Sequence, residues 1–497
     1  MNNRILLINP WITDFAAYDF WLRPLGLLYV AGMLRKYSYD VALIDCMDRH
    51  DSDLLRYQGI SQPLNKYYTT GKFYREVIPK PQVYQNVPRN YARYGLPFNL
   101  FRKKLIESRK PAVVLMTSGM TYWYPGVQLA VREIRNVYAD APIVLGGIYP
   151  TLCKEHAINT SGVDYVISGE GELAALKMVD SLTHHKRSYD EFSSDLDELP
   201  FPAYDLYENL NFAAILTSRG CPLKCTFCAS NLVAGAYRWR SPTCVVDELR
   251  FLHSQLQIDE FAFYDDALLT NFKNHLALIL DSVIEQNWRI HFHTPNGLQS
   301  RLITSEVAEK MFKSGFKTLR LSYESGNPHR QIDICNKVND ETFVQAVQNL
   351  YDAGYRHGEL DAYVIMALPG QSIEEILWSM AFVHRYGVKI RLAAFSPIPG
   401  TVEWQRAVSI YGFPADADPL LSNNSILPIK ARGATFRTFE KISQMAQNLN
   451  INLAKCMIEK DTRSLVRMMK NQFSRLELTG VESPVVKDEL KPQVTLE

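Results

Sequence analysis

Three thiols within eight residues, Cys221-Pro-Leu-Lys-Cys225-Thr-Phe-Cys228, are the most chemically loaded stretch of this chain. They follow an apolar run, Phe212 to Leu216, and the turn Ser218-Arg219-Gly220, so they sit on a loop leaving a strand. Structural zinc asks for four protein ligands in two spaced pairs, and no fourth Cys or His follows within the next dozen residues. Three thiolates around a four-iron cluster leave one iron open, which serves chemistry better than structure. A structural zinc or iron–sulfur knuckle is the plainer alternative, and the surrounding elements must decide.

From Arg4 to about residue 184, β-branched runs alternate with amphipathic stretches. Strands are expected at Arg4–Asn9, Val41–Asp45, Ala112–Met116, Ile143–Leu145 and Asp164–Ser168, with helices at Leu25–Tyr37, Phe101–Ser108, Gly126–Tyr138 and Glu172–Leu182. This alternation predicts an α/β fold with a doubly wound parallel sheet, which binds ligands at the carboxyl ends of its strands. Those ends carry Thr117-Ser118-Gly119, Gly146-Gly147 and Gly169-Glu170-Gly171-Glu172, where glycines let backbone amides approach a bulky ligand. An insertion, residues 49–97, is rich in Tyr and Pro and carries Lys72, Arg75, Lys80, Arg89 and Arg93. It reads as an extended arm whose aromatics pack on the next domain; a grip on an anionic substrate or nucleic acid is the alternative.

After a proline-punctuated acidic linker (191–210), six strand–helix units run from residue 211 to 400. Their strands are expected near Phe212–Thr217, Phe261–Asp265, Ile290–Thr294, Thr318–Ser322, Ala362–Ala367 and Ile390–Phe395. Ser241, Asp340 and Ser372 are expected helix caps. Six units fit an open partial barrel, whose chemistry gathers at the strands' carboxyl ends. Residues 401–482 read as a helical extension with helices at Phe439–Lys460 and Thr462–Leu476, and 483–497 as a disordered tail.

The spacing Cys-x3-Cys-x2-Cys, with Phe227 just before the third cysteine, resembles the signature of the radical S-adenosylmethionine (SAM) superfamily. Pro24-Leu-Gly-Leu-Leu-Tyr-Val-Ala-Gly-Met-Leu-Arg35, Gly146-Gly147-x-x-Pro150-Thr151 and Val163-Asp-Tyr-Val-Ile-Ser-Gly-Glu-Gly-Glu172 resemble the Rossmann-like cobalamin-binding domain (here 1–190) of its cobalamin-dependent members. The resemblance implies a 4Fe-4S cluster on Cys221, Cys225 and Cys228, with SAM chelating the open iron. It places Phe227, Asp265, Asp266, Asn296, Ser322, Glu324 and Leu368 at the SAM pocket. Cobalamin falls to Thr117, Ser118, Gly146, Gly147, Gly169, Glu170 and Gly171. One departure stands out: the Asp-x-His-x-x-Gly loop that supplies a lower histidine ligand elsewhere is absent. Asp48-Arg49-His50 is its nearest echo, after the second strand and without the glycine.

The activity implied is reductive SAM cleavage to a 5′-deoxyadenosyl radical and cobalamin-dependent methylation of an unactivated carbon, with no residue marked as catalytic acid or base. Alternatives are a radical rearrangement or cyclisation without methyl transfer, and a non-catalytic cobalamin or iron–sulfur binding protein. An electron donor such as a flavodoxin or ferredoxin and anaerobic conditions follow from the same resemblance.

Bulk properties agree. Charged residues make up 22% and the formal net charge is +1, so no nucleic-acid partner is expected. No apolar run is long enough to span a bilayer. Eight cysteines in so long a chain, three of them clustered, suit a reducing cytoplasm. Cys46, Cys153, Cys244, Cys335 and Cys456 are scattered and expected to be buried thiols.

Overall fold

The computed structural model describes residues 2–189, 195–430, 434–453 and 462–478. Cys456 and the 483–497 tail lie outside the described residues. Five parallel strands form the first sheet: β1 (Arg4–Asn9), β2 (Asp40–Asp45), β3 (Val113–Met116), β4 (Ile143–Leu145) and β5 (Tyr165–Val166). Their order is β5-β4-β3-β1-β2, so the winding reverses between β1 and β3. Successive residues of one strand serve opposite cores, as the two-residue period of a strand requires. Ile5 and Leu7 join Val113 and Leu115 under Leu27, Ala31 and Leu34 of the helix Leu25–Lys36. Leu6 and Ile8 join Val114 and Met116 under Val127, Ala130 and Ile134 of the helix Tyr124–Val137.

Six further parallel strands run in chain order: β6 (Ala213–Ile215), β7 (Glu260–Phe263), β8 (His291–His293), β9 (Phe316–Glu324), β10 (Leu360–Met366) and β11 (Lys389–Ala394). The short strand Leu298–Gln299 also pairs with β9. Phe261, Phe263, Phe292, Leu319 and Leu321 enter the core with the surrounding helices. Alternate positions carry polar side chains that bond one another. His293 bonds Glu260 through Nε2 at 2.7 Å, and Arg320 donates to the Tyr363 hydroxyl at 2.8 Å.

That polar interior is plugged from the N-terminal part. The Trp21 ring stacks on His293 at 4.1 Å, and the Arg320 guanidinium lies 4.7 Å from the Phe20 ring centroid. The Trp21 indole N–H donates to the Tyr68 carbonyl at 2.8 Å, inside the insertion. The insertion is therefore a packed arm. It contains the helix Ser52–Gln58, capped by Asp51, and its strand Ala92–Tyr94 pairs antiparallel with Ile12–Asp14 and Arg75–Val77. Three of its cations are engaged by the fold: Arg93 pairs with Glu76 and lies over the Phe98 ring, Lys80 donates to the Val87 carbonyl, and Arg89 lies over Phe15.

Ser241 and Ser372 cap their helices as expected, accepting from Cys244 N and Glu375 N. The expected cap at Asp340 shifts by one residue. Asn339 forms a capping box with Thr342, while Asp340 accepts from the Tyr323 hydroxyl at 2.7 Å. Several helices escaped the periodicity, among them Ser52–Gln58, Lys154–Thr160, Pro328–Ile334, and Val402–Tyr411 capped by Thr401. The helix Phe436–Asn452 closes the exposed edge of the barrel sheet. The Asn450 amide bonds both Ile390 N and Ile390 O at 2.8 Å, satisfying β11 where no further strand follows. Among the described residues no helix is long and apolar enough to cross a membrane.

Candidate functional site

The cysteine loop is held from three sides. At its base Ser218–Arg219 pairs antiparallel with Arg238–Trp239, closing a ribbon around residues 220–237. Gly220 turns the chain into the loop at φ +78; a Cβ there would meet the Gly235 carbonyl at 2.9 Å, so only glycine fits. Beneath it Asp265 accepts from Thr217 N, Thr217 Oγ1 at 2.7 Å and Ser218 Oγ at 2.6 Å. Burial raises the pKa of this carboxyl, and those hydrogen bonds oppose the rise. Asp265 thus anchors the start of the loop, with both oxygens engaged by the chain itself. On the far side Thr226 N donates to the Ile334 carbonyl and Glu403 N to the Thr226 carbonyl, each at 3.0 Å.

Cys221 and Cys225 are half-buried, and Cys228 is exposed. Among the described residues no three His, Cys, Asp or Glu side chains converge to grip a single metal ion. The loop does bring a cation to its thiols. The Lys337 ammonium ion-pairs with Glu324 at 2.6 Å and lies 5.7 Å from the Phe227 ring centroid. Burial works against this charge, but Glu324 and the thiols of Cys225 and Cys228 outweigh it and raise the lysine's pKa. A buried cation beside three thiols suits a group that bears several thiolates. Lys337 was missed in the sequence, because nothing local separates it from a surface lysine.

The other expected SAM residues gather near this point. Ser322 Oγ is 3.4 Å from Lys337 Nζ, and Glu324 adopts φ +68 at the end of β9. Ala367, after β10, adopts φ +67. Left-handed backbone at two neighbouring non-glycine positions is strain of the kind found at binding sites. Leu368 packs in one apolar cluster with Phe227. Asn296 donates to the carbonyls of Tyr264 and Asp265 at 3.0 and 3.2 Å, and Asp266 is exposed beside it.

Asp266 also borders a mainly apolar cleft of about 550 Å³ between the first sheet and the cysteine loop. Thr117, Ser118, Gly146, Gly147 and Gly169 to Gly171 line one wall; Ser218, Arg219 and Gly220 line the other. Gly147 sits at φ +96, ψ −163, where a Cβ would stand 2.6 Å from Thr117 Oγ1 and 2.8 Å from the Ser118 carbonyl. Cleft volume, apolar walls and a glycine floor fit a large planar cofactor. Glu170 is here but already paired, to Arg238 and to Arg219 at 3.4 Å; Glu172 takes Arg219 at 2.5 Å. These ion pairs tie the sheet's last loop to the ribbon under the cysteines. No histidine is among the cleft's lining residues. His50 lines a different, polar pocket and bonds Asn211 Nδ2 at 2.8 Å.

Two sequence-family models match the chain: the radical SAM superfamily over residues 215–383 and the B12 binding domain over 103–178. The chain thus carries a radical SAM domain preceded by a B12-binding domain. It is 26% identical over 335 residues to an uncharacterized methyltransferase of Pyrococcus horikoshii, covering 62% of this chain and 71% of that one. It is 24% identical over 466 residues to the cytidylyl-2-hydroxyethylphosphonate methyltransferase of Streptomyces wedmorensis, covering 80% of each. Its fold is that of the radical SAM methyltransferase TsrM from Kitasatospora setae, solved with cobalamin and a [4Fe-4S] cluster. The TM-score is 0.60 at 13% identity, over 95% of this chain and 100% of that one.

Proposed function

We propose that the protein is a cobalamin-dependent radical SAM methyltransferase acting on an unactivated carbon of its substrate. The observation that carries this reading is the shared wall: Ser218, Arg219 and Gly220 open the cysteine loop and also line the glycine-floored cleft. Cys221, Cys225 and Cys228 hold the cluster. Phe227, Asp266, Asn296, Ser322, Glu324 and Leu368 frame SAM, with Asp265 fixing the loop from below. Thr117, Ser118, Gly146, Gly147 and Gly169 to Gly171 form the cobalamin bed. A cluster and SAM bound there would supply radical hydrogen abstraction, and cobalamin would supply the methyl group.

The chain's own part is placement and exclusion. Lys337 offsets the negative charge of the thiolates, Phe227 and Leu368 shield the cluster's flank, and the apolar cleft walls keep water from the reacting centre. Electrons come from a one-electron donor such as a flavodoxin or ferredoxin.

The test is anaerobic reconstitution with iron, sulfide and hydroxocobalamin, then reduction with SAM and product analysis by mass spectrometry. Expected are bound cobalamin, 5′-deoxyadenosine and S-adenosylhomocysteine, all but the cobalamin lost in Cys225→Ala. SAM cleavage without cobalamin uptake would replace methyl transfer by a rearrangement. Neither cluster nor cleavage would overturn the reading.

A further inference from the structure

Cys335, one of the scattered cysteines, stands beside the cluster loop. It ends the helix Pro328–Ile334, whose last carbonyl accepts from Thr226 N at 3.0 Å. The residues flanking that bond are Cys225 on one segment of chain and Cys335 on the other, and the Cys335 thiol is near enough to help raise the pKa of Cys225, after burial. Both are free and neither is fully buried. Cys228 points instead to Ser230, with Sγ 3.3 Å from the hydroxyl. A disulfide needs Cα atoms roughly 4.4–6.8 Å apart and side chains that face each other, and the 3.0 Å bond from Thr226 N to the Ile334 carbonyl draws the Cα atoms of the two flanking cysteines close together.

We infer that Cys225 and Cys335 are a redox modification site: in cluster-free protein they join in a reversible disulfide. The S–S bond forms as two S–H bonds break; a two-electron oxidant such as a peroxide, a disulfide or a diazene takes both electrons and both protons. A dithiol reverses the step. Cys225 bound to iron has no free sulfur valence for this reaction, so the disulfide belongs to the empty loop. Once formed, it removes a cluster ligand until it is reduced. That last consequence rests on Cys225 being a ligand; the disulfide itself does not.

The test uses the full chain, free of cluster, treated with diamide, alkylated with iodoacetamide and digested with trypsin. Cleavage after Lys224, Arg238, Arg330 and Lys337 puts Cys225 in the peptide 225–238 and Cys335 in 331–337. A Cys228→Ser background leaves Cys225 as the one thiol of its peptide. Expected is a cross-linked pair of these peptides, with joint loss of alkylatable Cys225 and Cys335, reversed by dithiothreitol and absent in Cys335→Ser. Wild-type protein carrying its cluster should give far less of the pair. Diamide treatment that leaves both thiols alkylatable, or links Cys225 to Cys221, would overturn the proposal. If the pair forms while Cys225→Ala still assembles a cluster, the disulfide stands and the ligand assignment falls.

Discussion

Gly147→Ala separates the two halves of the proposed site. Gly147 occupies a backbone region essentially reserved for glycine. Its new Cβ would press on Thr117 Oγ1, which can rotate away, and on the Ser118 carbonyl and nitrogen at 2.8 and 3.0 Å, which cannot. Backbone strain costs about 1–3 kcal/mol and overpacking about 1–3 kcal/mol, so the total of about 2–6 kcal/mol falls on one loop. A folded protein survives the lower part of that range, since total stability is about 5–15 kcal/mol. The displaced loop is the floor of the cleft, so cobalamin retention should fall at least about tenfold, which a 1.4 kcal/mol shift suffices to give. The cysteine loop rests on Asp265, Ile334 and Glu403 instead, so cluster content and SAM-dependent 5′-deoxyadenosine formation should persist. Gly171→Ala is the control: it lines the same cleft at φ −92, with its Cβ 3.4 Å from Val30. Retention of cobalamin by Gly147→Ala at the Gly171→Ala level would refute the assignment of this floor.

Two further predictions test the framework. Arg219→Ala should lower the urea-derived unfolding free energy by about 3–5 kcal/mol, more than loss of an exposed pair would, because it leaves Glu172 buried without its partner. Adding Glu172→Ala should recover part of the loss, and strict additivity would count against the latch. Buried His50, His275 and His384 are held neutral, chiefly by burial, with pKa values lowered to about 3, 4 and 4. The unfolded chain binds these protons below about pH 6.5 and the folded chain does not, so each group makes stability fall as pH drops below that value. The slope is about 1.4 kcal/mol per pH unit per group. His384→Gln should therefore flatten the fall in urea-derived stability between pH 6.5 and 5 by about that amount. An unchanged slope would show that His384 titrates normally in the fold.

Much of the architecture was legible because it is local. β1 and β4 appear at the expected bounds, and Ser241 and Ser372 cap where a side-chain oxygen precedes an apolar period. The cap that moved, from Asp340 to Asn339, did so because either residue can accept from the first turn and only the approach of Tyr323 decides which. The cysteine spacing and the small-residue loops were likewise legible, since chemistry and turn geometry demand particular residue types there.

What sequence could not supply are relations between distant segments. Residue types marked Cys225, but only folding sets Cys335 beside it and Lys337 among the thiols, 110 and 112 residues away in the chain. Glu170 looked like a ligand residue until the fold paired it with Arg219 and Arg238. Phe20 and Trp21 fill the barrel interior against Arg320 and His293, and nothing local to them signals it. Periodicity records which face of an element is buried; which partner buries it, and which charge it meets there, is decided only when the chain closes on itself.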